Sequence, residues 1–547
     1  MKRLEVNHAI LPKPAEVQGN RWTDIPIPDL GDWVPEHLVS VILPHYEAHA
    51  QLDLTLAALT RQTYPTELIE IVVVDDGSRT PPVIPDTLAR MNASVHVQEH
   101  LGFGAGKARN LGASVAVGDI LVFLDCDMIP EPQHIEAHAR WHHAVSDAAV
   151  VGFRWHANFE TITPSEISNA VEADSVRSLL GDQEPLRPQW IDRYMTRTHR
   201  ITTSDDDAFR IMSGGNLSVR RQTYLDVGGT DETFGQWGGE DNEVGFRLVQ
   251  HGTVVVPDED AVCWHQGEGH LPSAAEVRSL QLQRPKLQNL IAELGFRKPK
   301  PGRSYTVPYA VCSIDGTTAP AFITALTIES VLESLFHDLI VVLDLPLDSE
   351  EAAFLQHKFV GDHRVELLPG GAPNTRSRFS PLRIEIPVGV LFHDTTLTRI
   401  VEMVRGKGVG LLHLTIPGRN PSESIINARL TRALNRAERL AVSTDDVDPW
   451  IGQLFGERWE AGRSFGLGAV DESGETTPPV DPDGRSGTPS EVAAIKKTLA
   501  RTQKRLQELQ SRRSVRLANA VGRVERARSW SDLLLTLQRL GASVRRR

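Results

Sequence analysis

The sequence predicts an α/β protein: a mostly parallel sheet covered by helices on both faces, then a second, smaller α/β unit and a basic helical tail. Three observations predict it. Short apolar runs alternate with helical stretches, the pattern of βαβ units. Three polar or acidic motifs fall just beyond the carboxyl ends of such runs, where open α/β sheets bind ligands. Finally, the composition turns to Pro, Gly, Ser, Thr and Asp over Asp471–Ser490, the signature of a linker between a body and a tail.

Residues 1–38 hold several prolines and no periodicity, and read as an irregular arm. The apolar run Val39-Ser40-Val41-Ile42-Leu43 predicts a strand, followed by Pro44-His45-Tyr46 and a helix through Leu52, Leu56 and Leu59. A second strand, Ile69–Val74, runs into Asp75-Asp76-Gly77-Ser78, and a third, Ile120–Leu124, into Asp125-Cys126-Asp127. A second α/β segment opens near Tyr305, with a strand at Val307–Ile314, a helix at Ala321–Leu335 and a strand at Leu339–Leu343. It echoes the first, without a repeat strong enough to assert. The expected division is therefore 1–38 arm, 39–300 first domain, 301–465 second domain, 466–490 linker and 491–547 tail. In the tail Val492, Ile495, Leu499, Leu506 and Leu509 recur mostly at three and four residues, an amphipathic helix or short coiled coil.

The chain has 547 residues, 40% of them apolar and 24% charged, the mixture of a multidomain globular protein rather than a fibrous or disordered one. Its three cysteines, Cys126, Cys263 and Cys312, lie far apart and cannot pair completely, which excludes a disulfide scaffold and fits a reducing compartment. No apolar run is long enough to span a membrane, and no signal-peptide core follows Lys2 and Arg3. A cytoplasmic protein is expected. The net charge of −13 conceals a split: Pro489 to the end carries +11 and the remainder −24. Such a tail meets something anionic, either a membrane surface (here the inner face of the plasma membrane) or the body itself. A solvated helix and self-association are the competing readings. With one tryptophan and no aromatic interleaving, the tail is not expected to bind nucleic acid.

In an extended backbone, residues two apart point the same way, so Asp125 and Asp127 share one face and Cys126 takes the other. Two hard oxygen donors suit Mg²⁺ or Mn²⁺, ions that bridge diphosphates. Asp76 can accept from a base N–H such as uracil N3, although Asp-Asp-Gly-Ser is also ordinary turn chemistry. In Trp237-Gly238-Gly239-Glu240-Asp241-Asn242-Glu243, Asp241 falls in the first turn of a helix marked by Val244, Leu248 and Val249. The dipole there favours the ionised carboxylate a base needs; a charge-capped surface helix is the plainer alternative. His134, His138 and His142 recur every four residues, but no fourth donor is evident and packing explains them better than a metal. The glycines 102, 104 and 106 lack Walker spacing.

Taken in order, Val39–Tyr46, Asp75–Ser78, Gly104–Gly112, Leu124–Met128, Ser213–Arg220 and Trp237–Leu248 resemble a family 2 glycosyltransferase of the GT-A fold. The Asp-Cys-Asp and Trp-Gly-Gly-Glu-Asp segments are most similar to the soluble bacterial chondroitin and hyaluronan polymerases, and more distantly to animal polypeptide N-acetylgalactosaminyltransferases. The resemblance covers about residues 39–270. It implies a nucleoside pocket at Pro44 and Tyr46, uracil held by Asp76, and Arg109 reaching the nucleotide. Asp125 and Asp127 would hold ribose and metal, with His265 a further ligand. Gly214, Gly215 and Asn216 would shape the sugar pocket beside Trp237; Glu240 would bind hydroxyls and Asp241 would be the base. The implied activity is metal-dependent, inverting transfer from a nucleotide sugar, UDP-linked, to a saccharide or lipid-linked saccharide. A sugar-nucleotide pyrophosphorylase and a non-catalytic nucleotide-sugar-binding protein are the other readings. The chain departs from the two-centre polymerases: Leu411-Leu412-His413-Leu414-Thr415-Ile416 stands where a second carboxylate pair is expected, so one catalytic centre is expected, with a second domain that is degenerate or serves to bind acceptor or partner. It also lacks the Gln-x-x-Arg-Trp motif of membrane synthases.

Overall fold

The computed structural model describes residues 12–88, 91–173, 175–203, 206–267, 274–370, 377–405, 408–422, 424–470 and 476–480. The tail 491–547, and with it the expected amphipathic helix, lies outside the described residues, as does most of the expected linker. The first domain contains, in order, β1 (Val39–His45), α1 (His49–Leu59), β2 (Ile69–Asp75), β3 (Asn92–Val97), α2 (Ala105–Val115), β4 (Ile120–Leu124), β5 (Met128–Pro130), α3 (His134–Ala144) and β6 (Ala148–Ala157). It continues with α4 (Pro164–Glu172), α5 (Gln189–Arg197), β7 (Asn216–Arg220), α6 (Arg221–Asp226), α7 (Glu240–Gln250), β8 (Val254–Gln266) and α8 (Ala274–Leu290).

The eight strands form one sheet in the order β3-β2-β1-β4-β7-β6-β8-β5. β1, β2, β3 and β4 pair in parallel, and β7 lies antiparallel to both β4 and β6. β1, β2 and β4 are buried throughout, as their unbroken Val/Ile/Leu runs require of strands covered on both faces. One face packs Leu52, Leu56, Leu59 and Ile135 on the sheet, the other Ala108, Tyr224, Phe246 and Leu248. The parallel arrangement brings the carboxyl ends of β1, β2 and β4 to one edge, and with them all three motifs.

The second domain repeats this plan. It holds β9 (Ala310–Asp315), α9 (Ala321–Leu332), β10 (Leu339–Asp344), α10 (Glu350–Lys358), β11 (Val365–Leu367), β12 (Leu382–Glu385), β13 (Val390–Phe392), α11 (Thr396–Val404) and β14 (Leu411–Thr415). Then follow β15 (Ile425–Leu430), α12 (Thr431–Leu440), α13 (Val447–Phe455), β16 (Glu457–Ala461), β17 (Leu467–Val470) and β18 (Thr476–Thr477). The sheet order β11-β10-β9-β12-β15-β14-β16 matches the first seven strands of the first sheet, β5 being its additional eighth, with β15 antiparallel to β12 and β14 as β7 is to β4 and β6.

Three sequence expectations are corrected. The strand equivalent to β4 is β12, not β14: Ile120 pairs with Val39 as Leu382 pairs with Ala310. The second-domain counterparts of Asp125 and Asp127 are therefore Pro387 and Gly389, and the Leu411 run corresponds to β6. The carboxylate pair is still absent. Leu467–Val470, placed in the linker, is a buried strand paired with β13. The arm is irregular, as expected, but Ala15, Val17, Trp22 and Ile25 are buried against Trp141, Val145, Val254 and Val256.

The domains are joined by arginines. Arg436 on α12 donates to the carbonyls of Gly252 at 2.9 Å and Gly19 at 2.6 Å, and Arg439 to that of His251 at 2.7 Å. Arg432 meets Asp206 at 2.7 Å and Arg405 meets Glu293 at 2.9 Å.

Candidate active site

At the carboxyl edge of the first sheet lies a cavity of about 890 Å³, lined by Pro44, Tyr46, Asp76, Arg109, Asp125, Asp127, Trp237, Glu240 and Asp241 among others. Its floor is set by β1, β2 and β4. Of the adjacent aspartates after β2, Asp75 is fully buried and held by His45 Nδ1 at 2.7 Å and Ser78 Oγ at 2.6 Å, so it locks the turn. Asp76 faces the cavity. Its carboxylate accepts from Gln98 Nε2 at 2.6 Å and pairs with His100 Nδ1 at 2.8 Å. The His100 ring stacks on Tyr46 with centroids 4.1 Å apart and planes 2° from parallel.

Arg109, on α2, sits among three carboxylates: Asp125 at 2.9 Å, Asp241 at 3.2 Å and Glu240 at 3.7 Å. Its side chain is only 6% exposed, and these acids hold its pKa above the ordinary arginine value against the desolvation that opposes it. Arg109 thus clamps Asp125, one carboxylate of the Asp-x-Asp pair, to Asp241. Burial, and then the neighbouring Asp241 charge, push the Glu240 carboxyl up to about 7. Gly238 and Gly239, with φ of 106° and 97°, adopt the left-handed conformation and turn the chain into α7, which places Glu240 and Asp241 in its first turn. Trp237 stands at the lip, 43% exposed.

Asp127 lies 3.4 Å from His265 Nε2, across the β5–β8 pair that puts Met128 opposite His265. Burial raises the Asp127 carboxyl, and the His265 charge opposes that rise. The His265 Nδ1 is buried without a partner and the ring lies 4.6 Å from that of His156. An oxygen and an imidazole nitrogen placed together here suit part of a divalent cation's coordination shell. Asp125 is instead engaged by Arg109, and no closed cage of three or more His, Cys, Asp or Glu side chains exists among the described residues.

Gly214 and Gly215 abut this centre without lining the cavity. A Cβ on Gly214 would stand 2.4 Å from Arg109 Cζ and 2.6 Å from Asp241 Oδ1, and one on Gly215 2.3 Å from Asp125 Oδ2. Asn216 is corrected. Its side chain points away into the core, where Oδ1 accepts from His134 at 2.9 Å and His138 at 2.8 Å and Nδ2 donates to the Ala261 carbonyl at 3.1 Å. Side chains alternate along β7, so the residue after two site glycines need not face the site. The histidine series of α3 is thereby explained as a ladder on Asn216 and Ser218, which His138 and His142 meet at 2.9 and 2.8 Å.

Sequence reasoning missed His100, Gln98 and Arg154. The first two follow β3 at the same carboxyl edge, and that position was the available signal. Arg154 lines the cavity, reaches Ser213 Oγ at 3.2 Å and keeps a buried Nε without a partner.

Comparison with known proteins adds to this geometry. The family model described as Glycosyl transferase family 2 matches residues 40–224, and that described as the N-terminal domain of galactosyltransferase matches residues 206–258. The hyaluronan synthase of Pasteurella multocida is 29% identical over 42% of this chain and 25% of its own length. The validoxylamine A glucosyltransferase of Streptomyces hygroscopicus subsp. limoneus is 34% identical over 43% of this chain and 52% of its own. The chondroitin synthase of Escherichia coli is 26% identical over 64% of this chain and 54% of its own. The chain thus spans between a quarter and about half the length of these relatives. The first domain has the GT-A fold.

Proposed function

We propose that this chain, whose residues 40–224 match the family model described as Glycosyl transferase family 2, moves a hexosyl or N-acetylhexosaminyl group from a UDP-sugar to a hydroxyl of a saccharide or lipid-linked saccharide, with inversion, in building a polysaccharide or glycoconjugate. The observation that carries this reading is the convergence of Asp125, Arg109 and Asp241 within 3.2 Å contacts in one cavity that Asp127 also lines. Tyr46 and His100 offer a flat ledge for a base, and each Asp76 oxygen keeps a lone pair for an imide N–H.

Mn²⁺ or Mg²⁺, held by Asp127 with His265, would offset the charge of the departing diphosphate. Arg109 adds fixed positive charge to the same pocket and orients both carboxylates. Asp241 takes the proton of the acceptor hydroxyl as its oxygen attacks the anomeric carbon from the face opposite the leaving group, through an oxocarbenium-like state. Trp237 stacks on a sugar ring at the lip, and the Glu240 carboxyl hydrogen-bonds a sugar hydroxyl.

The test is a nucleotide-sugar panel with Mn²⁺, reading nucleoside diphosphate and pyrophosphate separately. UDP release dependent on an acceptor is expected. Asp241→Asn should lower kcat by about 100-fold or more while donor affinity, read by calorimetry, stays near wild type. Near-full transfer by folded Asp241→Asn would refute the base assignment. Pyrophosphate release would point to a pyrophosphorylase, and donor binding without turnover to a binding protein.

A further inference from the structure

The repeated fold exposes a difference between its halves. In the first domain the outer side of α1, with Leu54, Ala57 and Ala58, is covered by Ile167 and Val171 of α4, and Ser168 Oγ donates to the Ala57 carbonyl at 3.2 Å. α4 belongs to the long segment between β6 and β7. The second domain passes from β14 to β15 through residues 416–424 alone, with no counterpart of α4 among the described residues. Its α9, the equivalent of α1, accordingly shows Phe322 at 51% and Leu326 at 41% exposure, and α10 adds Phe354 at 47%. The ion pair of Lys358 with Glu329, at 2.7 Å, fixes α10 against α9. Leu326 and Phe354 each lie about one turn before that pair, so the apolar side chains share one patch. Leu347, exposed in the turn before α10, lies at the approach to it. Glu333, Asp348, Glu350 and Glu351, all exposed, lie on or beside the same two helices.

The chain itself carries a segment suited to this face. β18 pairs with β17 and β17 with β13. Gly389, just before β13, donates to Thr327 Oγ1 of α9 at 2.9 Å and accepts from Val470 N at 2.7 Å. The chain therefore reaches Val480 from a sheet that lies against α9. Eleven further residues span up to about 36 Å and bring it to Glu491. Val492, Ile495 and Leu499 then recur at helical spacing, as Ile167, Ala170 and Val171 do in α4, among Lys496, Lys497, Arg501, Lys504 and Arg505.

We infer that residues 491–509 dock across α9 and α10 of the same chain, in the place that α4 takes over α1. Val492, Ile495 and Leu499 cover Phe322, Leu326 and Phe354, and the tail's bases face Glu333, Asp348, Glu350 and Glu351. This inference is independent of the proposed reaction, since the face lies on the domain that lacks the carboxylate pair.

A photo-reactive benzophenone amino acid at position 326 of the full-length chain tests it. The expected product is an intramolecular cross-link, at monomer mass, to a peptide within 491–509. Leu499→Asp should reduce its yield about tenfold, the effect of losing about 1.4 kcal/mol of docking, and a benzophenone at Val83 on the first domain should give none. Hydrogen exchange of the 321–332 peptide should quicken in Leu499→Asp by a comparable factor. Cross-links joining two chains would make a second copy the occupant and overturn the inference. So would a yield at 326 no higher than at 83, unchanged exchange in Leu499→Asp, or loss of the cross-link on adding phosphatidylserine–phosphatidylcholine vesicles, which would make an anionic membrane the preferred partner.

Discussion

At the scale of single residues, the site carboxylates are placed by what is missing beside them. A Cβ at Gly104 would fall 2.1 Å from Asp76 Oδ1, and one at Gly215 2.3 Å from Asp125 Oδ2. Each carboxylate occupies space that any other residue would fill. Asp125 cannot yield freely, because Arg109 holds it at 2.9 Å and that guanidinium also fixes Asp241. Gly215→Ala should therefore act at a distance from its own atoms: Asp125 swings off Arg109, and Asp241 loses its fixed partner. The expected outcome is a fall in kcat/KM of about tenfold or more, with a melting temperature little changed, measured by donor turnover beside thermal denaturation. Activity near wild type in Gly215→Ala would mean that the clamp has slack.

At the scale of elements, α3 shows what the sequence hides. Its histidines at four-residue spacing look like metal ligands, yet hydrogen bonds to Asn216 and Ser218 account for them. Asn216 Oδ1 can only accept, so His134 and His138 donate from Nε2. His138 Nδ1 then accepts from the Ser218 hydroxyl, whose oxygen accepts from His142 Nε2, an arrangement in which the His138 ring is neutral. Burial lowers all three pKa values, that of His138 to about 4. With the folded value below the unfolded one, the unfolded state binds more protons between pH 6.5 and 4, so this stability is present above pH 6.5 and lost as pH falls through 4. His138 alone costs about 2 kcal/mol between pH 7 and pH 5. Urea denaturation should show that loss, and His138→Gln should lessen its slope with pH; equal slopes would refute the neutral ladder. The strands β1, β2 and β4 were legible because burial on both faces writes an unbroken apolar run, and the carboxylates because they follow those runs. Asn216 was not, since its facing depends on α3, eighty residues away in sequence. Nor was β12: Leu382-Arg383-Ile384-Glu385 is short and charged, whereas Leu411–Ile416 is longer and more apolar, and only the pairing with β9 reveals which one answers to β4. Leu467–Val470 was obscured by the glycines and prolines around it.

At the scale of the whole molecule, two copies of one fold have come to differ at the edge where chemistry would occur. Pro387 and Gly389 hold the positions of Asp125 and Asp127, and neither can offer a carboxylate. Helix α13, the counterpart of α7, opens on Val447 and Asp448, and Asp448 is bound by Arg429 at 2.7 Å, an arginine that Glu385 also meets at 2.6 Å. What would be the second centre is thus an ion-paired surface. α12 has meanwhile become a brace, with Arg432, Arg436 and Arg439 reaching Asp206 and the carbonyls of Gly19, Gly252 and His251. We propose a single centre on this ground. Given an acceptor and any two donors, the protein should incorporate one kind of sugar, and Asp127→Ala should remove every nucleoside-diphosphate release by about 100-fold or more. Gly389→Asp, which restores an acid at the second-domain position, should create no new transfer, because Pro387 still withholds its partner. Product analysis by mass spectrometry decides it: two different sugars added by the pure protein, or a residual second activity in Asp127→Ala, would place working chemistry in the second domain and undo the assignment of that domain as a brace.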